Sequence, residues 1–378
     1  MHIVRKLMIL VIIMTSFVII HRLIKENEDV RKGSNKNTET KENTESKENT
    51  ESKENTETKE NKEGFENKEL VANKELMESA KKQGMELSIK PIQNKYYKFP
   101  LREFMIKSSY NSAIIDKTAS QDAIKFVLSR GCRVLDFEIY TRNDKEYVSY
   151  SEDPEYKVIQ TDLSLTVEKA FLSIAENAFS QPSPAPNDPL FIQLRIKNNT
   201  HATYKRISKL IETVFGNKYY NKPIDGSVPV GNLMQKVIFI LDATSAPDYN
   251  KYSTCLKDET DCEPLTQYIN LLSGTADLPK YSYTEYMDLI PTPITVDYGN
   301  DRTDVRSFML ISPPEIGGNN VSMPGKNAIL KLPCQMMLAR FYKQTAELKG
   351  YEKMFNECES SFCALGPFFR KSYRKNSD

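Results

Sequence analysis

The sequence has few histidines, few cysteines, no tryptophan and almost no net charge. Three of its 378 residues are histidine, and its six cysteines are scattered rather than set in close pairs. That spacing argues against a zinc site, which needs paired thiolates or imidazoles. The 52 basic and 51 acidic residues leave a net charge of +1, so no overall field draws the protein to nucleic acid. Any preference for a charged ligand must be local.

A short apolar run lies near the N-terminus. Residues 7–20 read LMILVIIMTSFVII, a length that suits the core of a signal peptide better than a full membrane span. No small-x-small cleavage pattern follows it, however, and Arg22 and Lys25 can snorkel to the membrane surface. We therefore expect residues 1–25 to be an uncleaved, single-pass membrane anchor, with a cleaved signal segment as the alternative.

The side of the membrane on which the body lies stays open. Basic residues are denser after the apolar run than before it, which by the positive-inside rule favours the cytosol. Glycosylation acceptor triplets at residues 198–200 and 320–322 carry meaning only in a lumenal domain. The same holds for Cys358 and Cys363, which would pair in a lumenal protein and stay free thiols in a cytosolic one.

Residues 26–89 are predicted to be a disordered, low-complexity linker. KENTES or KENTET recurs every six residues between positions 41 and 59, and the repeat has no apolar position that could stack inside a solenoid. A flexible tether of roughly 60 residues has a root-mean-square reach of about 45 Å. The domain that follows is therefore expected to reach the membrane or swing clear of it.

From about residue 95 onward, strand-like and helix-like segments alternate. This order predicts a parallel sheet, and a second half of similar size predicts an α/β fold closed as a distorted (β/α)8 barrel. The predicted strands are residues 104–109, 132–140, 146–151, 189–196 and 236–242, and the predicted helices are residues 161–179 and 202–216.

Several segments in this part resemble one enzyme family. PLREFMIKSSYNSAII at residues 100–115 and GCRVLDFEIY at residues 131–140 resemble the first two strands of phosphoinositide-specific phospholipase C, which typically read FxxSSHNTY and GCRxxELDxW. DPLFIQL, KVIFI, CQMMLARFY and CALGPFFRK are similar to later family segments, in the family's order. The resemblance implies an X-like half-barrel at residues 95–242, an X–Y linker at residues 243–281 that contains Cys255 and Cys262, and a Y-like half-barrel at residues 282–371.

The catalytic histidines that the resemblance implies are both replaced. Tyr110 stands where the family has the histidine that deprotonates the inositol 2-hydroxyl, and a phenol with a pKa near 10 is a poor base at neutral pH. Asp153 or a neighbour stands where the family's second histidine protonates the leaving group. His201 begins a predicted helix and is expected to be a surface or capping residue.

The calcium ligands that the resemblance implies are partly kept. Asn111, Asp136 and Glu138 match three of the family's oxygen ligands, with the two acids in exchanged order, but the fourth ligand, a glutamate, corresponds to Arg195. A guanidinium repels a divalent cation and pairs with carboxylates. We therefore predict an internal ion pair at this position and doubtful calcium binding.

Contacts to the substrate's phosphates are also reduced. The family's lysines correspond to Ile240 and Asp242, and its arginine to a position near Leu310. Ser282 is the position that keeps a family substrate contact, and it is a weak candidate.

Two functions of different classes follow from the resemblance. The favoured one is a membrane-tethered, catalytically silent phospholipase C homologue that binds a lipid headgroup or a protein partner at the barrel mouth, with no cofactor. The alternative is a divergent phosphodiesterase that still cleaves phosphoinositides with calcium, using Tyr110, Asp153 and the acidic pair in new roles. A barrel that serves as a rigid structural body is a third reading. Nucleic acid is not an expected partner of any of them.

Overall fold

The computed structural model describes residues 87–366, apart from residues 116–117, 154–158, 160–162, 256–261, 263, 290–293, 299–300, 306–307 and 316–320. For residues 294–298 and 301–305 the description covers the backbone alone. The chain divides into two compact units, residues 1–68 and 69–378, and every described residue belongs to the second. The predicted anchor and nearly all of the predicted linker lie outside the described residues. Within those residues, no helix is both long enough and apolar enough to cross a membrane.

The strands coincide with runs of aliphatic and aromatic residues, which favour the extended pleated conformation. In chain order they are β1 (Phe104–Ser109), β2 (Ile114–Ile115), β3 (Thr118–Ala119), β4 (Val134–Arg142), β5 (Lys145–Ser149), β6 (Leu190–Ile196), β7 (Val237–Asp242), β8 (Leu271–Ser273), β9 (Lys280–Ser282), β10 (Ile294–Tyr298), β11 (Asp301–Val305), β12 (Leu310–Ser312), β13 (Met336–Ala339) and β14 (Phe362–Ala364). The α-helices are α1 (Gln121–Ser129), α2 (Val167–Asn177), α3 (His201–Phe215), α4 (Tyr249–Tyr252), α5 (Tyr283–Asp288), α6 (Lys326–Lys331) and α7 (Ala346–Cys358).

Eight of these strands form a nearly closed parallel barrel. The hydrogen-bonded path runs β8-β7-β6-β4-β1-β13-β12-β9. The strands therefore follow one another around the barrel in chain order. β1, the first strand of the barrel, pairs with β4 on one side and with β13, the last strand of the barrel, on the other. Between β8 and β9 the described contact is an isolated bridge, Ser273 to Leu278. β5 and β14 add antiparallel pairs to β4 and β1. The predicted distorted (β/α)8 barrel is confirmed.

The longer helices begin where a serine or threonine can cap them. In each, the side-chain oxygen of the residue before the helix accepts the backbone N–H of the third helical residue, which otherwise lacks an intrahelical partner. These capping residues are Ser120 for α1, Thr166 for α2, Thr200 for α3 and Thr345 for α7.

Alternate residues of each barrel strand face two different cores. In β6, Phe191 belongs to the cluster inside the barrel, whereas Ile192 and Leu194 belong to the cluster between the strands and the outer helices. Because side chains alternate along a strand, Arg195 lies on the inner face at the carboxyl end of β6. We call this end, where the carboxyl termini of the parallel strands meet, the barrel mouth.

Two boundaries differ from the predicted ones. β8 lies inside residues 243–281, which were predicted to be a linker, because a strand of three residues is too short to show a period of two in the sequence. Ile89, the last residue of the predicted linker, is buried in the outer core. The packed part of the chain therefore begins before residue 95.

Four of the six cysteines are paired. Cys255 and Cys262 form one disulfide and Cys358 and Cys363 a second, with Cα separations of 5.7 and 5.5 Å. The other two cysteines, Cys132 and Cys334, are buried free thiols. The sequence left Cys358 and Cys363 open between a disulfide and free thiols, and the structure has the disulfide.

Candidate functional site

Arg195 lies at the centre of the barrel mouth. Its side chain is only 1% exposed, and β6 places it opposite Glu138 in the register with β4. Its Nε and Nη2 atoms donate to the two oxygens of Asp136 at 3.0 and 2.9 Å. Nη1 donates to Glu138, and Nη2 also donates to Asn111 Oδ1 at 2.5 Å. The internal ion pair predicted for this position is present.

The turn after β1 holds Asn111 against these acids. Asn111 has a φ of 45°, in the left-handed region that asparagine tolerates better than most residues. Its backbone N–H donates to Asp136 Oδ2 at 3.1 Å, and its side chain meets Arg195. Ser112 closes the turn, because its Oγ accepts the backbone N–H of Asp136 at 2.9 Å. Asn111 is thus held through its backbone by Asp136 and through its side chain by Arg195.

Tyr110 covers the guanidinium. The centroid of its ring is 4.7 Å from Arg195 Cζ, which is a cation–π distance, and the residue is buried. Burial raises the pKa of the Tyr110 hydroxyl well above its ordinary value, although the charge of Arg195 opposes the shift. The phenol is therefore neutral at physiological pH and accepts no proton there. We call Arg195, Asp136, Glu138, Asn111 and Tyr110 the Arg195 cluster.

The Arg195 cluster does not fit a calcium ion. Asn111, Asp136 and Glu138 supply oxygens of the type that calcium prefers, but each of them already accepts a hydrogen bond from the same guanidinium. Burial disfavours the charge of Arg195, yet the surrounding acids raise its pKa well above its ordinary value, so that it stays a cation. Elsewhere in the described part of the chain, no group of three or more candidate ligands is placed to hold a metal.

A second ring of charges lies beside this cluster, and the sequence did not predict it. We define it as Lys197, Asp242, Lys280 and Glu315. Lys197 Nζ lies 2.8 Å from Glu315 Oε2, and Lys280 Nζ lies 3.2 Å from Glu315 Oε1 and 2.7 Å from Asp242 Oδ2. Burial would raise the pKa of Glu315, but Arg195, Lys280 and Lys197 hold it far below its ordinary value.

The second ring was missed because loops bring it together. Lys197 is recoverable from the sequence, since it lies two residues after Arg195 on the same side of the chain. Glu315 follows β12 and reaches back across the mouth to Lys197 and Arg195. No spacing of residues within the sequence predicts that contact.

The other predicted site residues lie at the edge of the mouth or cap a helix. The backbone N–H of Asp153 donates to Ser151 Oγ, and the backbone N–H of Ser151 donates to Glu138 Oε1. Ser282 is the N-cap of α5, where its Oγ accepts the N–H of Glu285 and its own N–H donates to the Glu285 carboxylate. His201 is the first residue of α3, and its Nδ1 lies 3.2 Å from the carbonyl oxygen of Tyr252.

Little open space remains over the Arg195 cluster. The cavity bounded by Tyr110, Asn111, Glu315 and Arg340 has a volume of about 20 Å³, which is close to the space for a single water molecule. An inositol ring therefore has no room there without rearrangement of these side chains.

Comparison with known families assigns the first half of the barrel. Residues 97–240 match the X domain of phosphatidylinositol-specific phospholipase C, and this match covers β1, β4 and β6, which carry the Arg195 cluster. Residues 97–240 form an X domain of that family. The suspected resemblance to the family is confirmed. The Y-like half at residues 282–371 stays a prediction.

Solved structures of phospholipases C are similar to this chain at low sequence identity. PLC21 of L. pealei is 15% identical with a TM-score of 0.52, and the alignment covers 72% of this chain and 38% of that one. A calcium-dependent phosphatidylinositol-specific phospholipase C of Streptomyces antibioticus is 13% identical with a TM-score of 0.41, covering 66% of this chain and 98% of that one. The chain therefore corresponds to well under half the length of the L. pealei protein. A comparison with curated protein sequences finds no match.

Proposed function

We propose that this protein is a phospholipase C homologue that does not hydrolyse phosphoinositides and that acts by binding a ligand at the mouth face of its barrel. One observation carries the proposal. The guanidinium of Arg195 occupies the centre of Asn111, Asp136 and Glu138, where the family resemblance implies a calcium ion. A fixed cation at that point excludes a second one by repulsion.

The acid–base chemistry gives independent support. At the position of the family's first histidine, Tyr110 is buried with a raised pKa, and it stacks on Arg195 rather than facing open solvent. A general base and a general acid each contribute roughly a hundredfold to ten-thousandfold to a rate. Loss of both histidines and of the metal therefore predicts a rate near the uncatalysed background.

The alternative, a divergent active phosphodiesterase, needs Tyr110 or Asp153 to act as the base. Tyr110 would have to give up its proton in a buried site, which its raised pKa opposes. The Asp153 backbone is tied to Ser151 at the edge of the mouth, and the cavity over the cluster has a volume of about 20 Å³. No contact in the described residues favours this alternative over the binding role.

We further propose that residues 1–25 tether the protein to a membrane. This proposal is supported by the apolar run at residues 7–20 and by the long polar segment that follows it in the sequence. The two disulfides favour an oxidising compartment for the barrel. This argues for the lumenal or extracellular side, against the weak charge asymmetry of the flanking residues.

A turnover assay tests the proposed function. Full-length protein is incubated with phosphatidylinositol and with phosphatidylinositol 4,5-bisphosphate, with calcium or with a chelator, and released inositol phosphates are measured. The calcium-dependent enzyme of Streptomyces antibioticus serves as the positive control under the same conditions. We expect no release above the blank in either condition.

Calcium-dependent release well above the blank would overturn the proposal. The matched variant for that outcome is Asp136→Asn, which removes one carboxylate of the cluster and would abolish a genuine calcium-dependent rate. The same variant leaves a contaminating activity unchanged.

A further inference from the structure

A second, larger cavity opens at the mouth face, beside the Arg195 cluster. Its volume is about 300 Å³, which reaches the lower end of the range for small-molecule sites. Its walls come from the segments after β9 and β13, from the loop before α6 and from the first turn of α7. The residues that line it include Tyr283, Ser322, Met323, Arg340, Lys343 and Thr345. We call it the Arg340 cavity.

Arg340 is a buried cation whose described contacts are to a carbonyl oxygen and an aromatic ring. It follows β13 directly and is 7% exposed. Its Nη2 donates to the carbonyl oxygen of Val321 at 2.8 Å, and its Cζ lies 5.7 Å from the centroid of the Tyr283 ring. In the part of the chain that the structure describes, no aspartate or glutamate lies at ion-pair distance from it. Arg195 and Lys107, which are also buried, each have at least one such partner.

A buried guanidinium that has no acidic partner among the described residues favours the binding of an anion. Removing a cation from water costs several kcal/mol unless a counter-charge or a full set of hydrogen bonds replaces the water. The carbonyl of Val321 and the ring of Tyr283 supply part of this compensation. A guanidinium has five N–H donors in a planar fork, and the described partners of Arg340 are the Val321 carbonyl and the Tyr283 side chain.

Other groups on the wall favour an oxyanion. Lys343 lines the same cavity, and α7 begins there with Thr345 as its N-cap. The first N–H groups of a helix carry partial positive charge and bind anions. Glu347 is an opposing charge on the wall, but two cations and a helix N-terminus outweigh it. Ser322 adds a hydroxyl that can donate a hydrogen bond.

We propose that the Arg340 cavity binds the phosphate group of a phosphomonoester ligand. A phosphate has more acceptor oxygens than a carboxylate and so satisfies a guanidinium, an ammonium and a helix N-terminus together. The apolar part of the wall, with Tyr283 and Met323, accommodates the rest of the ligand. This inference rests on the proposed binding function and gives it a location next to the Arg195 cluster rather than on it.

The test measures binding by full-length protein with two probes. Inorganic phosphate, followed by calorimetry, reports a soluble source, and phosphatidylcholine vesicles with and without phosphatidic acid report a lipid source. For whichever probe the wild type binds, Arg340→Gln should weaken binding by about tenfold to a hundredfold, because the variant removes a hydrogen-bonded charge pair. Lys343→Gln should weaken it by a smaller factor. Lys343 is exposed, so this second variant keeps the test valid if the first does not fold.

Lys349→Gln is the matched control, because it removes the same charge from an exposed position on α7 that does not line the cavity. It should leave binding unchanged. Equal weakening by all three variants would overturn the proposal, and so would acetate binding as tightly as phosphate or the absence of Arg340-dependent binding to either probe. Phospholipid hydrolysis in the turnover assay would overturn the proposed function instead, whatever these probes show.

Discussion

Exchanging Arg195 for glutamate should make the stability of the barrel depend on calcium. The wild-type guanidinium neutralises Asp136 and Glu138 inside the mouth. Arg195→Glu removes that cation and adds a third carboxylate to the same buried space. Breaking a buried ion pair by removing one partner typically costs about 3–5 kcal/mol, and the added repulsion makes the loss larger. Without a divalent cation, the variant should be unfolded or much less stable.

Calcium should restore much of this loss. The variant has three carboxylates and the Asn111 amide around one point, which is the kind of oxygen site that calcium binds. If its dissociation constant is on the order of 0.1 mM, about 10 mM calcium stabilises the folded state by about 2.7 kcal/mol. For a domain of this size that corresponds to a rise in melting temperature of about 5 °C. Magnesium should have a smaller effect because it is more reluctant to lose its water.

Thermal unfolding followed by circular dichroism, with calcium, magnesium or chelator, measures these shifts. Lys90→Glu is the matched control, because it is the same kind of charge reversal at the exposed pair with Glu359, where the side chains are 68% and 54% exposed. Surface pairs contribute about 1 kcal/mol at most, so the control should unfold almost as the wild type does. The reasoning fails if calcium stabilises the wild type, or if Arg195→Glu costs no more than the control.

Three further predictions concern the rest of the barrel. Burial raises the pKa of Glu103 from 4.5 to about 7, so the folded chain keeps a proton there that the unfolded chain loses, and stability falls as pH rises through that window. Glu103→Gln should therefore be more stable than the wild type by roughly 3 kcal/mol at pH 8 and equal to it near pH 4, measured by urea unfolding. Glu352→Gln should destabilise by a few kcal/mol, because it weakens the buried pair with Lys107; a loss below 0.5 kcal/mol would contradict this. Without reductant, alkylation should modify two thiols, Cys132 and Cys334, and only after denaturation; modification of all six would refute both disulfides.

The strands that were predicted correctly are those long enough to show a pattern. β1, β4, β6 and β7 have at least six residues each, and almost all of those residues are buried, as in strands that are covered on both faces. β8, β9 and β12 have three residues each, which is less than two periods of alternation. Their place in the barrel depends on neighbours far away in the sequence, so local propensity could not find them.

The candidate site also has one part that the sequence predicted and one part that it did not. Tyr110, Asn111, Asp136, Glu138 and Arg195 lie on adjacent strands, so a resemblance in β1, β4 and β6 was enough to bring them together. Arg340 is different. No aspartate or glutamate of the described residues lies at ion-pair distance from it, and only a three-dimensional arrangement shows which charges a side chain fails to meet.

The charge at the mouth accounts for the presence of Asp136 and Glu138 beside Arg195. In the arrangement that the family resemblance implies, a calcium ion and its fourth ligand, a glutamate, contribute +2 and −1 at this point, a net +1. Arg195 contributes +1 from a single side chain. Asn111, Asp136 and Glu138 therefore meet the same net charge in both arrangements, and each keeps a partner for its oxygens. A neutral residue at position 195 would leave two buried carboxylates without their hydrogen-bonded counter-charge, which is costly. Arg195 thus supplies the charge that calcium and glutamate supply in the arrangement implied by the resemblance, and for the same reason the reverse change, Arg195→Glu, should be tolerated only when calcium is supplied.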